Sequence, residues 1–173
     1  MSEHLAEHIL YAPETGYVTL DVPMLAELPE TWDHDGRNFT RKPELHVSLL
    51  DAHAVALSQH ISEPKLIDAA RVAFDRAPVA FRRFSPPLYE CQKDGGKSLS
   101  IIAPVEVIGL NAAFEALALR ALCNLKLPLT HVTLYTAGDP KGIAVKDSIM
   151  LAVRCQRMDA PDLAAMVFDE PAA

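Results

Sequence analysis

The sequence predicts an α+β fold made of two loosely similar halves. The segments read in order as strand, histidine-containing strand, helix and hairpin, then helix, histidine-containing strand and final strand. The two histidine segments, "LHVSLL" (45–50) and "THVTLY" (130–135), repeat one pattern of histidine, apolar residue, hydroxyl residue and apolar residue. Regular strand–helix units with glycine-rich turns are missing, which argues against a dinucleotide-binding sheet.

In the first half, residues 2–16 predict a short helix that Pro13 and Gly16 end. Residues 16–23 and 45–51 read as strands, and the stretch 29–43 between them reads as a polar loop. Residues 62–77 have helical periodicity, with Ser62 as the N-cap and Pro64 in the first turn.

In the second half, residues 86–92 and 97–107 predict a hairpin around the turn signal "KDGG". Residues 110–125, rich in alanine and leucine, predict the clearest helix, and Pro128 stops it. Residues 130–138 read as the second histidine strand and 148–158 as a final buried strand. The tail adds a short helix or strand.

Composition indicates an ordinary globular chain of 173 residues, 50% hydrophobic and 23% charged, which we interpret as one domain over residues 1–173. The formal charge of −7 argues against an extended nucleic-acid surface, because such a surface needs positive charge to displace counterions. A small phosphorylated ligand in a local pocket remains compatible with that charge.

Cellular location is predicted from the cysteines and from the apolar runs. Cys91, Cys123 and Cys155 are odd in number and lack metal-ligand spacing, so we expect buried reduced thiols in a cytoplasmic protein. The acidic start "MSEHLAEHIL" does not resemble a signal segment, and no apolar run approaches the ~20 residues of a membrane span.

The two histidine strands each present an imidazole beside a hydroxyl. Side chains alternate between the faces of a strand, so His46 and Ser48 share one face while the intervening apolar residues anchor the other. By the same alternation His131, Thr133 and Tyr135 share a face of the second strand. If the strands are neighbours, two imidazoles and two hydroxyls converge.

This set of side chains suits phosphoester chemistry without a metal. Histidine titrates near neutrality, so one ring can take a proton from an attacking water while the other donates one to the departing oxygen. Ser48 and Thr133 can donate hydrogen bonds to the non-bridging phosphate oxygens, where charge grows in the transition state.

With "HVS" at 46–48 and "HVT" at 131–133, the chain resembles the 2H phosphoesterase superfamily, which is marked by two H-x-[S/T] motifs on strands. The superfamily includes RNA 2′,3′-cyclic phosphodiesterases and 2′-5′ RNA ligase-like proteins. The resemblance covers the two motif strands and the order of elements. It implies a bilobal, pseudo-twofold fold in which two antiparallel sheets form a central cleft, with helices outside.

The resemblance also implies roles for individual residues. His46 and His131 would be the catalytic histidines, and Ser48 and Thr133 would hold the phosphate. The implied reaction opens a cyclic phosphate of a nucleotide or RNA end without cofactor or metal. Which histidine is the base, and which bond opens, stay undecided, as do the physiological substrate and the oligomeric state.

Further residues could border such a pocket. Tyr135 continues the active face, and Lys141 in the loop 137–145 could hold a phosphate, although a solvated loop lysine is the simpler interpretation. Arg41 and Lys42 precede the first motif and could attract an anion. Tyr89 could stack on a base, although packing is the simpler interpretation, and Arg154 is a weaker candidate for a side chain that points into the cleft.

Two alternative functions remain open at this stage. One is a module that binds a nucleotide or phosphorylated metabolite in the same pocket without turnover. The other is a metal-dependent hydrolase, which needs a third protein ligand that neither motif supplies. His4 and His8 have the i, i+4 spacing of a helical metal pair but no third ligand nearby.

Overall fold

The computed structural model describes residues 2–168, which form an α+β structure of antiparallel strands and five α-helices. The chain divides into two compact units. The first comprises Met1–Asp21, Val47–Arg82 and Val107–Pro128, and the second comprises Val22–His46, Arg83–Glu106 and Leu129–Ala173. Each unit therefore takes its residues from three separate stretches of the chain. Several β-strands cross the boundaries between these stretches.

The strands are β1 (Glu3–Ala6), β2 (Ile9–Ala12), β3 (Tyr17–Val22), β4 (Thr31–His34), β5 (Arg37–Arg41), β6 (Leu45–Asp51), β7 (Ala80–Phe84), β8 (Tyr89–Lys93), β9 (Ser98–Ile108), β10 (His131–Ala137) and β11 (Cys155–Arg157). The helices are α1 (Ala52–Gln59), α2 (Glu63–Arg76), α3 (Leu110–Ala121), α4 (Ser148–Arg154) and α5 (Pro161–Phe168).

The first unit packs its helices against a short sheet. Strands β1, β2 and β3 form an antiparallel meander, and α2 contacts β1, α1 and α3. The buried face of α2 consists of Leu66, Ile67, Ala69, Ala70, Ala73 and Phe74. These positions recur at helical spacing, which confirms the predicted helix and explains why it lies against the core.

The second unit is built on an antiparallel sheet in the order β4, β5, β10, β9, β8, β11. The predicted hairpin is confirmed as β8 and β9, which pair from Tyr89 with Ile102 to Lys93 with Ser98. The candidate strand β10 lies inside this sheet, between β5 and β9. A strand with partners on both sides is held in place by hydrogen bonds along both edges, which suits a residue that must be positioned accurately.

The predicted N-terminal helix is wrong. Residues 3–12 form the hairpin of β1 and β2 instead, with His8 at the turn in the left-handed region (φ 60°). Leu5, Ile9 and Tyr11 are buried, so burial against the core outweighs the weak helical propensity of this stretch. The i, i+4 spacing of His4 and His8 therefore does not describe one helix face.

The predicted polar loop over 29–43 is also wrong, because β4 and β5 form a hairpin there. Its turn is Asp35–Gly36, and both residues have positive φ (49° and 72°). Asp-Gly is the preferred pair for such a turn, so the signal was present in the sequence. Phe39 of β5 is fully buried, which anchors the hairpin.

The predicted strand over 148–158 begins as a helix. Asp147 accepts a hydrogen bond from the Met150 backbone N–H at 2.8 Å and so caps α4, and only Cys155–Arg157 are extended as β11.

The predicted helix over 110–125 is confirmed as α3 but ends at Ala121, because Leu122 adopts the left-handed conformation (φ 55°). The tail forms the short helix α5, so the helical alternative holds.

The prediction of three reduced cysteines is wrong. Cys91 and Cys155 form a disulfide, and only Cys123 is free. The two bonded residues are direct partners across β8 and β11, so the sheet register brings them together although 64 residues separate them.

Among the described residues, no helix is both long and apolar enough to cross a membrane.

Candidate active site

The first motif lies at the start of β6. Leu45, Val47 and Leu49 are buried, whereas His46 is exposed and Ser48 is half-buried. The alternation confirms that the apolar side chains occupy one face and that the histidine and the serine share the other. Strand β6 begins in the second unit, which contains His46, and ends in the first, which contains Ser48.

The second motif opens β10, and its histidine is held by the chain just before it. The Nδ1 of His131 lies 3.0 Å from the carbonyl oxygen of Leu129. A carbonyl can only accept, so Nδ1 carries the proton and Nε2 of the neutral ring keeps its lone pair. This geometry fixes both the ring orientation and the tautomer, and it leaves Nε2 as the atom able to accept a proton.

The two motif histidines interact electrostatically, and the interaction changes the pKa of His131. Burial lowers the pKa of His131 from its ordinary value of 6.5, and the charge of His46 lowers it further, while the hydrogen bond to Leu129 opposes both effects. The imidazole of His131 is therefore neutral near pH 7. His46, by contrast, is exposed to water. The two motif histidines thus differ in their surroundings, since burial affects His131 and water surrounds His46.

A β-bulge in β10 separates Tyr135 from the motif, and the prediction that it shares the active face is wrong. Thr133 pairs with Ile102 on β9, yet Tyr135 pairs with the very next residue, Ile101, so Leu134 is extra. An extra residue shifts the alternation by one. Tyr135 therefore points to the opposite face, where it is fully buried.

The surroundings of Tyr135 agree with a structural role. Its hydroxyl donates a hydrogen bond to the carbonyl oxygen of Pro29 at 2.8 Å. Burial raises the pKa of this hydroxyl, although the neighbouring Arg41 opposes the increase. The guanidinium of Arg41 in turn donates to the carbonyl of Leu28. Tyr135 and Arg41 thus fasten the segment before β4 to the back of the sheet.

The same bulge turns Thr136 onto the face of His131 and Thr133. Residues paired across neighbouring strands lie on one face, and His131, Thr133 and Thr136 pair with Pro104, Ile102 and Ser100 of β9, respectively. These three partners are spaced by two along β9 and so share a face. The active face of β10 therefore carries His131, Thr133 and Thr136. The sequence did not predict Thr136 there, because a bulge leaves no simple periodic signal.

Thr133 lies beneath the loop that follows β10. A Cβ atom placed on Gly142 would be 3.4 Å from Thr133 Cγ2 and 3.6 Å from both Thr133 Oγ1 and Ser100 Oγ. Gly142 has φ +81°, a conformation that favours glycine. These are ordinary contact distances, so glycine is favoured here by the backbone conformation, and the loop lies directly over Thr133.

Ser100 is a hydroxyl residue that the sequence reading missed. Its side chain is completely buried on the face of Thr133 and Thr136, and its Oγ has no hydrogen-bond partner among the described residues. An unpaired buried hydroxyl costs about 1–3 kcal/mol, so such a group is uncommon in a sheet interior. A serine inside the apolar run "SLSIIAPV" could have drawn attention to this position.

A small apolar cluster holds the segment after Gly142 against the sheet. Its buried members are Cys91, Ile102, Ile143 and Val145. Since Ile102 is the partner of Thr133, the cluster adjoins the active face directly. Tyr89 packs against this cluster, in agreement with the packing role that was the simpler interpretation.

Lys141 lies in the loop beside Gly142, and its side chain is exposed. Its described hydrogen bond is made by the backbone N–H, which donates to Asp139 Oδ1 at 2.9 Å. The ammonium of Lys42 instead contacts this loop, with Nζ 2.7 Å from the carbonyl oxygen of Pro140. A phosphate-binding role for Lys141 therefore stays a prediction, whereas Lys42 is placed against the loop by a specific contact.

The described residues offer no group of three or more His, Cys, Asp or Glu side chains able to hold a metal ion. Comparison of the chain with protein-family models, curated proteins and solved structures found no match.

Proposed function

We propose that this protein is a metal-independent cyclic phosphodiesterase of the 2H type, with the bilobal fold of that superfamily. It would hydrolyse a 2′,3′-cyclic phosphate at a nucleotide or a short RNA end. The observation that carries the proposal is the electrostatic coupling of the two motif histidines, which are 85 residues apart in the sequence.

His131 is the general base in this proposal. Its Nδ1–H is directed to the Leu129 carbonyl and its pKa is lowered by burial and by His46, so Nε2 is ready to accept a proton at neutral pH. Water attacks the phosphorus as Nε2 takes one of its protons. Such assistance by a positioned base contributes about 10²–10⁴-fold to the rate.

His46 is the general acid. The bond from phosphorus to one ribose oxygen breaks as the new P–O bond forms, and the departing oxygen takes a proton from the His46 imidazolium. The sum is one water consumed and one phosphomonoester formed. Transfer of the proton from His131 to His46 through solvent restores the starting state, so no external reagent is required.

The hydroxyls stabilise the charge that grows on the phosphate. Thr133 shares the face of His131, and Ser48 shares the face of His46, each two residues along its strand. Each hydroxyl can donate one hydrogen bond to a non-bridging oxygen. Donors held on paired strands need no reorganisation during the reaction, which is the condition for strong transition-state stabilisation.

The decisive experiment is a hydrolysis screen of 2′,3′-cyclic nucleotides and cyclic-phosphate RNA ends, with the position of the product phosphate identified. Replacing His46 or His131 by alanine should lower kcat about 10²-fold or more. The matched control is His4→Ala, which removes an exposed imidazole from β1. EDTA should have no effect.

Full activity in either catalytic variant, with folding intact by circular dichroism, would refute the proposal. Tight binding of the panel without any hydrolysis would instead show that the protein is a binding module. Activity that EDTA abolishes and Zn²⁺ restores would show a metal-dependent hydrolase.

A further inference from the structure

A cavity of about 380 Å³ lies in the second unit where β5 and β10 run side by side. Its lining includes Thr40 and Lys42 from the first of these strands and its continuation, and Thr136 and Gly138 from the second and its continuation. The pocket therefore begins three residues beyond Thr133 on the same strand. At about 3.3 Å per residue this is roughly 10 Å, the scale of one nucleotide.

The pocket opens on the same face of the sheet as the candidate catalytic groups. Thr40 pairs with Thr136, and Thr136 pairs with Ser100, so three hydroxyl side chains form a row across three neighbouring strands. The bulge at Leu134 is what turns Thr136 to this face. A ligand that extends from Thr133 along β10 would therefore reach the row of Thr40, Thr136 and Ser100.

The charge around the pocket favours an anion. Arg41 and Lys42 line it, and none of the described residues in its lining is acidic, although the whole chain carries a formal charge of −7. The guanidinium of Arg41 binds the Leu28 carbonyl on the opposite face of the sheet, so Lys42 is the cation on the pocket's own face. In an acidic protein a local cationic pocket concentrates anions that the remaining surface repels.

Lys42 is the cation able to contact a ligand. An ammonium group has three N–H donors, and one of them binds the Pro140 carbonyl at 2.7 Å. The other two have no hydrogen bond within the described part of the chain. The Pro140 contact holds Nζ beside Gly138 at the pocket, so the remaining donors are positioned rather than free to swing into solvent.

The hydroxyls supply an independent observation. Ser100, at the end of the row, is completely buried and its Oγ has no partner among the described residues. Thr136 is only 7% exposed, and the structure describes no hydrogen bond from its side chain to another residue. A buried hydroxyl without a partner is costly, so Ser100 at the end of this row is more consistent with a ligand site nearby than with a packed sheet interior.

We propose that this pocket binds a second phosphate group of the substrate, with Lys42, Thr40 and Thr136 as its ligands. The inference rests on the proposed function, and it narrows the substrate to nucleotides that carry a phosphate beyond the cyclic one. That phosphate has two chemical sources. It is either a 5′-terminal phosphate or the phosphodiester that joins the terminal nucleotide to the preceding one.

The test compares three substrates that share the same cyclic end: adenosine 2′,3′-cyclic phosphate, its 5′-phosphorylated form, and an adenylyl dinucleotide that ends in a 2′,3′-cyclic phosphate. For the unmodified protein, one or both of the larger substrates should have a kcat/KM about tenfold higher or more, which corresponds to about 1.4 kcal/mol. The substrate that gains identifies the source of the phosphate.

Two variants assign the gain to the pocket. Lys42→Ala removes the cation, and Thr136→Val removes one hydroxyl at nearly constant volume without touching the contact between Lys42 and Pro140. Both should reduce the ratio of kcat/KM for the larger substrates to kcat/KM for adenosine 2′,3′-cyclic phosphate. Lys126→Ala, which removes an exposed lysine of the first unit, is the matched control.

Binding measured without turnover separates the two proposals. Calorimetry with adenosine 3′-phosphate and adenosine 3′,5′-bisphosphate should show tighter binding of the bisphosphate, and the difference should shrink in both variants. Absence of hydrolysis across all substrates would overturn the proposed function, and calorimetry would then judge the pocket alone. Equal kcat/KM for the three substrates together with equal affinity for the two calorimetric ligands, or a gain that survives both substitutions, would overturn the second phosphate site.

Discussion

The imidazole of His46 lowers the pKa of His131, although these residues open two strands that lie far apart in the sequence. The effect adds to that of burial, and both favour the neutral ring whose Nδ1–H binds Leu129. A shared electrostatic environment is what paired acid–base catalysis requires, since each histidine must remain in the protonation state opposite to that of its partner.

This coupling can be measured directly. In a titration followed by NMR, the His131 ring should have a pKa below 6.5, and His46→Gln should raise that pKa by removing the repulsion. Burial still acts in the variant, so the pKa should not return fully to its ordinary value. An unchanged His131 titration in His46→Gln would contradict the coupling, and His4→Gln serves as the control.

The pH dependence of activity follows from the same shift. The base must be neutral, so kcat/KM should rise with pH and reach half its maximum on the acid side below 6.5. An acid limb centred above 6.5 would argue against His131 as the base.

Gly142 offers a test of the loop that closes on Thr133. Alanine at this position strains a backbone with φ +81° in a loop that contacts Thr133 and Ser100, so the loop should shift and kcat/KM should fall about tenfold. The matched control is Gly95→Ala, where φ is +69° but nothing lies within 4 Å of the added atom. Both variants should lose about 1–2 kcal/mol of stability through backbone strain. Equal activity in the two variants would show that the contact with Thr133 is unimportant.

A cluster in the first unit predicts a stability effect separate from catalysis. Tyr11 donates its hydroxyl to Glu63, whose second oxygen contacts His53 Nδ1. Burial and the contact with Glu63 raise the pKa of Tyr11 to about 12, and the hydrogen bond from Tyr11 lowers the pKa of Glu63 despite its burial. Tyr11→Phe should therefore lower the free energy of unfolding at pH 7 by about 1–2 kcal/mol.

The pH dependence of this loss has a defined sign. The folded chain holds the Tyr11 proton more tightly than the unfolded chain, so the contribution of Tyr11 disappears as the pH rises from 10 towards 12. The contribution of Glu63 is complete above its ordinary pKa of 4.5 and declines as the pH falls below that value. Denaturant unfolding at several pH values measures both. Tyr17→Phe is the control, and equal stability of the two variants would contradict the expectation.

The disulfide predicts a larger effect on the second unit. Removing it with Cys155→Ala opens a loop closed across 64 residues and should cost about 2–4 kcal/mol of unfolding free energy. Cys123→Ala, which removes the half-buried free thiol, should cost less. Guanidinium unfolding with and without a reductant gives the comparison. Identical curves under both conditions would mean that the bond contributes nothing to stability.

Local pattern was sufficient for several parts of this fold. Alternation identified β6 and β10, helical spacing identified α2 and α3, and glycine pairs identified the turn between β8 and β9. In each case the side chains that define the period are also the buried ones, so the local signal and the tertiary structure agree. The N-terminal hairpin was missed because its short strands are stabilised by neighbours that the sequence does not show.

The sequence by itself determined that two histidine–hydroxyl strands exist and which residues anchor the first of them. Only the tertiary structure decided how β10 presents its residues. The bulge at Leu134 turns Tyr135 away from the active face and brings Thr136 onto it, and the pairing with β9 adds Ser100. Register between strands brought Cys91 to Cys155, and proximity lowered the pKa of His131. Alternation is a property of one strand, whereas bulges, register and electrostatic coupling depend on residues distant in the chain, so no local pattern could predict them.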